Sequence, residues 1–385
     1  MTKKLYDENA YLTHFSATVV AVEPMGEQYA VYLDQTAFFP ESGGQSADTG
    51  ILGGHPVLDV KETKEGIAHL LALPLKVGEM VEGKIEFLPR FRKMQLHTAE
   101  HILSGLAHTL FGCENVGFHL GKTEVTCDYD ICLTDEQIRL LEEKTNWAIW
   151  ENRAVSAAYP AEETLSTLSY RSKGELPPPV RIVTIDGYDN CACCAPHVAK
   201  TGEIGGFAIA FFERHRGGTR CYIKAGVDAL LYQREMQDQL SMLSHRLSVP
   251  TDKVAEGVVR LSEEMAELRQ TIYHLRKSVT DLRIASAIPK DGFILFFEEK
   301  ASQEDMRSVL NGCVDRCEKA CGFFVGNDKD GYRFTLTSRH YSMADLAETL
   351  RNIHSAKCGG SREMISGTIP LTKEDITSFL KVYLR

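Results

Sequence analysis

His97-Thr98-Ala99-Glu100-His101-Ile102-Leu103 is the stretch from which this chain is best read. Phe91, Met94, Leu96, Ile102, Leu103, Leu106 and Leu110 give apolar helical periodicity between Pro89, where a helix can begin, and Gly112, where one can stop. On such a helix two imidazoles at i and i+4 leave the same face one turn apart, which is a chelate geometry. Far downstream, Cys193-Cys194-Ala195-Pro196-His197 sets a thiol and an imidazole at the same four-residue offset, in a Cys/Pro/Gly-rich segment that reads as a loop or tight turn. Either pair alone fits an ordinary helix face or a core thiol. Together His97, His101, Cys193 and His197 make a metal-ligand set suited to Zn2+. The residue after the first His is Thr, so the HExxH base of a metalloprotease is missing. Glu100 points off the ligand face and reads as a solvated carboxylate, and His108 as a packed or surface side chain. Cys191, Cys193 and Cys194 crowd one loop, and Cys194 is the reserve thiolate. A closed four-ligand site is structural and a catalytic one keeps a position open; both readings stand at this point.

Upstream of the helix, residues 14–87 read as β. Alternating stretches at Ser16–Val22, Tyr29–Leu33, Val57–Val60 and Val81–Phe87, separated by Gly, Pro and Asp clusters, predict a small barrel. Inside it lies LDQTAFFPESGGQSADTG, in which Pro40, Gly43, Gly44 and Gly50 impose an irregular backbone around two polar side chains, Thr36 and Gln45. The loop lacks the Gly-Lys-Ser/Thr ending of a Walker A sequence. Downstream, strands at Val116–Leu120 and Glu124–Tyr129 precede a helix from about Asp135 to Trp150 capped by Thr134. Lys173–Pro179 reads as a rigid connector. Val180–Ile185, Gly205–Phe212 and Cys221–Lys224 read as strands of one sheet that presents the second ligand pair. From Ala229 a helical arm begins. Its second helix keeps an unbroken four–three alternation from Val254 through Val258, Leu261, Met265 and onward to Leu282, a seam that needs a partner. Residues 291–385 read as an α/β domain, with helices near Glu304–Cys321, Ala344–Ile353 and Lys373–Leu384. The expected fold is therefore α+β and multidomain: 1–88 an N-terminal β-barrel with the glycine motif, 89–227 an α+β zinc-binding domain, 228–290 a helical coiled-coil arm and 291–385 a C-terminal α/β domain.

A length of 385 residues with 43% hydrophobic and 25% charged residues is ordinary for globular protein. The first residues have no apolar signal region and no run reaches membrane-spanning length, so no membrane association and a cytoplasmic location are expected. Eleven cysteines, an odd number without disulfide spacing, then read as reduced thiols. A net charge of −10 argues against indiscriminate nucleic-acid binding, although Arg90/Arg92/Lys93 and Arg214/Arg216/Arg220/Lys224 could form local positive faces.

HTAEHIL and CCAPHVAKTGEIG resemble the HTAxHxL and CxGTHVxxTGEIG signatures of the alanyl-tRNA synthetase editing domain and its free-standing relatives of the long AlaX type. The glycine loop resembles that family's LDxTxFYPxxGGQxxDTG, with Phe39 where Tyr is usual. Cys358-Gly359-Gly360-Ser361-Arg362-Glu363-Met364 is similar to the glycine motif of the DHH-associated C-terminal domain, while no Asp-His-His motif occurs. The resemblance selects Cys193 as the thiolate, although Cys194-Ala195-Pro196 departs from the usual loop. It implies a hydrolase acting in trans on tRNA(Ala) mischarged with serine or glycine, and a homodimer formed through the arm and C-terminal domain. Nothing resembles the ATP-binding half of a synthetase. Thr36 is then the candidate partner for a seryl hydroxyl and Gln45 the second, since a pocket for alanine cannot strongly exclude serine or glycine and a second site must discriminate. Editing of another aminoacyl-tRNA such as Ser-tRNA(Thr), or a non-catalytic zinc-stabilised tRNA-binding or dimerisation scaffold, are the alternatives.

Overall fold

Strict alternation along Met80–Ile85 and His14–Val19 turns Val81, Gly83 and Ile85 inward against Phe15, Ala17 and Val19. Gly83 sits opposite Phe15, and a Cβ there would lie 2.3 Å from the Phe15 ring, so the glycine makes room for the core aromatic. The long strand His14–Met25 pairs with Met80–Ile85 through its first half and with Gln28–Leu33 through its second. The full antiparallel sheet has seven strands in the order His55–Val57, Gly50–Leu52, Met80–Ile85, His14–Met25, Gln28–Leu33, Ile67–Leu71, Asp59–Glu62. The single strand expected at Val57–Val60 is two strands at opposite edges of this sheet. Leu58 joins them, its N–H donating to Leu70 O at 2.9 Å, and the crossing from edge to edge nearly closes the sheet into the expected barrel.

The computed structural model describes residues 2–121, 124–172 and 179–385, so all of the Pro-rich connector except Pro179 lies outside the described residues. Two compact units are defined, Met1–Leu243 and Ser244–Arg385. In the first, the helix Phe87–Phe111 ends at Gly112, which adopts φ 62°. Every residue from Met94 to Gly105 on it is buried. Helix Asp135–Trp150 opens with a capping box between Thr134 and Gln137.

One sheet expected from 180–185, 205–212 and 221–224 is two. Ile182–Ile185 is the middle strand between Val155–Ala158 and Asp189–Ala192. Phe207–His215 and Gly218–Ala225 instead pair with Val125–Tyr129 and Asn115–Leu120. The turn at Asp186-Gly187-Tyr188 folds the ligand-bearing segment back as a hairpin, which satisfies its backbone locally and separates it from the later strands.

Helix Val227–Leu247 and helix Val254–Ser286 stand where the arm was expected, with the break at Pro250. In the second unit Phe293–Glu298 runs parallel to Ala320–Asn327, and Gly331–Thr337, Met364–Ile369 and Lys357–Gly360 complete the sheet antiparallel. The helix expected over Glu304–Cys321 stops at Cys313. Cys313, Cys317 and Cys321 mimic helical spacing, but the β-forming run Gly322-Phe323-Phe324-Val325 pairs with the first strand and draws the chain into the sheet from Ala320. No helix among the described residues is long and apolar enough to cross a membrane.

Candidate metal centre and its cavity

The buried helix and the loop that follows Asp189–Ala192 bring His97, His101, Cys193 and His197 together, with one ligand atom of each within 4.8 Å of the others. Cys193 Sγ lies 3.6 Å from His97 Nε2 and 3.4 Å from His197 Nε2. Donors about 2.0–2.3 Å from a tetrahedral zinc stand at similar mutual separations. Cys194 is not in the group; its Sγ lies 3.4 Å from Ser42 Oγ.

Each imidazole is oriented by a partner on its far nitrogen. His97 Nδ1 donates to Gln45 Oε1 at 3.1 Å. Thr98 Oγ1 gives its one proton to Met94 O at 2.7 Å and therefore accepts from His197 Nδ1 at 3.0 Å, as it does from Val198 N–H. His101 Nδ1 lies 3.1 Å from Asp189 Oδ2, an electrostatic contact off the line of a hydrogen bond. The Nε2 lone pairs of His97 and His197 are thereby left to face Cys193, the tautomeric arrangement that metal-bound histidines adopt. Arg171 grips Asp189 through two bonds, at 2.7 and 2.8 Å.

Electrostatics agree with that donor set. Burial works against a thiolate at Cys193, but His97, His101 and His197 outweigh it and draw its pKa well below the ordinary thiol value. Burial, helped by the neighbouring His101 and His97, pushes His197 down to about 3, so it is a neutral base. Burial also opposes ionisation of Asp189, and His101 with Arg171 overcomes it. Against burial, Asp189 and Cys193 hold His101 well above the ordinary imidazole value, so a metal at this site would displace its proton; a thiolate with imidazole nitrogens suits zinc.

The ligand loop is fastened from below. Arg181 donates to Cys193 O at 3.0 Å and Ala195 O at 2.9 Å, while Ala195, fully buried, packs into the barrel core with Cys193 against it. From the barrel side, Gly44 at φ +79° lets the loop pass where a Cβ would stand 2.5 Å from Phe118 O. Arg90 and Asp48 form a buried ion pair, with Arg90 Nε to Asp48 Oδ2 at 3.0 Å, and Lys93 Nζ donates to Ser46 O and Ala47 O at 3.0 and 2.6 Å. Arg90 and Lys93 thus hold the glycine loop and do not form the basic face expected of Arg90/Arg92/Lys93. In the other expected cluster, Arg220 is paired with Asp128.

Glu100 is buried, not solvated: its Oε1 accepts from Ser104 Oγ at 2.6 Å and Asn115 Nδ2 at 2.5 Å. It does not point off the ligand face either: three residues after His97, it borders the same cavity as His97 and His101, where hydrogen bonds hold the carboxylate in place of water. His108 is on the surface, 2.6 Å from Glu114.

His97, His101 and Cys193 line a cavity of 590 Å³, together with Gly43, Gly44 and Phe118. Gln45 stands behind His97, and its Nε2 is a buried donor without a partner among the described residues. Thr36 lies apart. It is fully buried on Gln35–Thr36, and its hydroxyl bonds His69 Nε2 at 2.8 Å and accepts from Phe38 N–H at 3.1 Å. Burial holds His69 neutral, with a pKa of about 4, and its Nδ1 donates to Val31 O at 3.0 Å; the Thr36 proton therefore goes to Nε2.

Thr98, Asp189 and Arg171 escaped the sequence reading. Thr98 could have been found, since a hydroxyl between two candidate ligands on a buried helix needs a partner; Arg171 gives no such signal. Thr98→Val is expected to lower metal affinity about 10–100-fold while leaving the fold intact, as His197 loses the acceptor that fixes its tautomer. Metal competition against a chromogenic chelator checks this, and unchanged affinity would refute the role.

Residues 180–222 match the family model for the threonyl and alanyl tRNA synthetase second additional domain, a span that includes Cys193 and His197. This stretch is thus similar to a domain named for those two kinds of synthetase. Beyond it, the chain is related over most of its length to alanine–tRNA ligases. It is 30% identical to that of Pyrococcus furiosus over 96% of this chain and 42% of the relative, and 30% identical to that of Sulfurisphaera tokodaii over 99% and 44%. With the enzyme of Ignicoccus hospitalis the identity is 29% over 76% of this chain and 33% of the relative. The chain spans less than half the length of these relatives.

Proposed function

We propose that the chain is an editing hydrolase that removes serine, and to a lesser degree glycine, from mischarged tRNA(Ala) at a zinc site formed by His97, His101, Cys193 and His197. The observation that carries this reading is the cavity onto which three of those four side chains open, in a relative of alanine–tRNA ligases. A purely structural site has no use for such access. Zinc, when bound, supplies Lewis acidity and lowers the pKa of coordinated water. Gln45 orients His97 from behind the ring, away from the cavity lining. Thr36, its proton committed to His69, keeps one acceptor lone pair that suits a seryl O–H and gives a methyl group nothing, a role that requires the buried strand Gln35–Thr36 to open toward the cavity from which it lies apart. Discrimination by such a group can reach ~10⁴-fold.

A deacylation panel tests the proposal: Ser-, Gly- and Ala-charged tRNA(Ala) beside Ser-charged tRNA(Thr). Rapid loss of Ser from tRNA(Ala) with Ala-tRNA spared is expected, and Thr36→Val should lower Ser-tRNA hydrolysis at least ~10-fold with zinc content unchanged. Preference for Ser-tRNA(Thr) would move the activity to that system. No turnover of any substrate would leave a zinc-stabilised tRNA-binding scaffold.

Self-association is proposed to run through the helix Val254–Ser286, where Leu261, Met265, Leu268, Ile272, Leu275 and Val279 of the seam are each 45–61% exposed. Light scattering on the full chain should give a dimer, and Leu268→Glu/Leu275→Glu a monomer. A monomeric parent protein would refute it.

A further inference from the structure

The cavity in front of the metal ligands shares a wall with a larger one. Glu114, Asn115, Arg171 and Ser172 line both, and beyond them the second opens to 980 Å³ over the hairpin that carries Thr184, Tyr188 and Asn190. Among the described residues, the charges around it are spoken for. Arg171 is held by Asp189 at 2.7 and 2.8 Å, His108 lies 2.6 Å from Glu114, and Asp186 lies 3.5 Å from Arg153. A free anion would meet cations already paired, and a cation would meet paired carboxylates. What the lining offers otherwise is uncharged: the amide of Asn190, the hydroxyls of Thr109, Thr184 and Ser169, and the rings of Tyr170 and Tyr188. Neutral donors and acceptors with aromatic faces complement a nucleobase and ribose rather than a phosphate or an amino acid.

A substrate whose reacting ester lies at the metal also has more than one nucleotide to place. The 590 Å³ cavity has room for an aminoacylated nucleoside, and the shared wall gives the strand that carries it a way out into the larger cavity. We propose that the larger cavity is a subsite for the nucleotide that precedes the aminoacylated one on a single-stranded 3′ end. The proposal rests on the editing reading above. It makes Tyr170 and Thr184 specificity residues that act on the strand and leave the ester untouched.

The experiment compares two minimal substrates, seryl-adenosine and a seryl-CCA trinucleotide, on the full-length protein. The parent protein should show a KM at least tenfold lower for the trinucleotide, the scale of one stacked base. Thr184→Trp, which fills the cavity, and Tyr170→Ala, which removes a face, should each abolish that gap and leave seryl-adenosine hydrolysis unchanged. A parent protein without the gap, or a gap that survives both substitutions, overturns the subsite. Should Thr184→Trp fail to fold, as judged by circular dichroism, Tyr170→Ala decides alone. If neither substrate is hydrolysed, the editing reading fails separately, and the subsite is judged by fluorescence anisotropy of labelled, unacylated CCA. Binding weakened at least tenfold in the variants upholds it; no binding to the parent protein, or undiminished binding in the variants, overturns it.

Discussion

Cys193→Ala is expected to yield protein with well under a tenth of the parent's zinc and with Ser-tRNA(Ala) hydrolysis lowered by roughly 10³-fold, the effect of losing several kcal/mol of charge stabilisation at the metal. The reasoning starts from what the thiolate does. It is the one anionic donor among the four, and its charge opposes the cost of placing a dication among buried imidazoles. Without it, three imidazoles remain, each still oriented by Gln45, Asp189 or Thr98, and none able to neutralise the ion. Cys194→Ala should change zinc content little, since that sulfur turns toward Ser42. Elemental analysis of both variants, purified without added metal, gives the result. Full zinc occupancy in Cys193→Ala would refute the assignment, and loss of zinc in Cys194→Ala would transfer it to the neighbouring thiol.

Arg90→Met should be the most damaging substitution for the stability of the first unit. Arg90 and Asp48 are both almost completely buried, and Asp48 also accepts the Phe39 N–H at 2.6 Å. Removing the guanidinium leaves an uncompensated carboxylate in the interior, which costs about 3–5 kcal/mol. For a unit of this size that is a fall in Tm of about 6–20 °C. Replacing both partners, as Arg90→Met with Asp48→Leu, should recover much of the loss, because no buried charge is then stranded. Thermal unfolding followed by circular dichroism measures both. A fall below about 2 °C in the single variant would show that the pair is not what locks the glycine loop to the helix.

The helix with its two histidines was legible because periodicity of 3.6 is a local property, and so was the offset of Cys193 and His197. The glycine loop could be recognised as irregular for the same reason. What escaped were pairings decided at a distance. The sequence reads Glu100 as solvated and off the ligand face, and cannot tell that Asn115 and Ser104 wait to hold it buried beside the same cavity. Arg90 and Lys93 look like surface cations in a sequence, and only the fold brings the Ser46-Ala47-Asp48 stretch beneath them. Three later strands were assigned to one sheet because alternation reports that a strand exists and says nothing of its neighbour. Thr36 marks another such limit. The sequence isolates it as a polar group in an apolar run, whereas its acceptor-only character comes from His69, on a strand that arrives later in the chain.

The docking of Ala195 into the barrel core bears on how the protein is made. Cys193 and His97 are 96 residues apart in sequence, so a ribosome adding about 5–20 residues per second delivers the second ligand pair some 5–20 s after the first. During that interval the barrel core lacks Ala195, and the helix exposes Met94, Ile102 and Leu103 beside two histidines that have not yet met Cys193 and His197. The nascent segment is then at its most aggregation-prone, and a chaperone that shields it until the hairpin Ile182–Ala192 has emerged would raise the yield of folded protein.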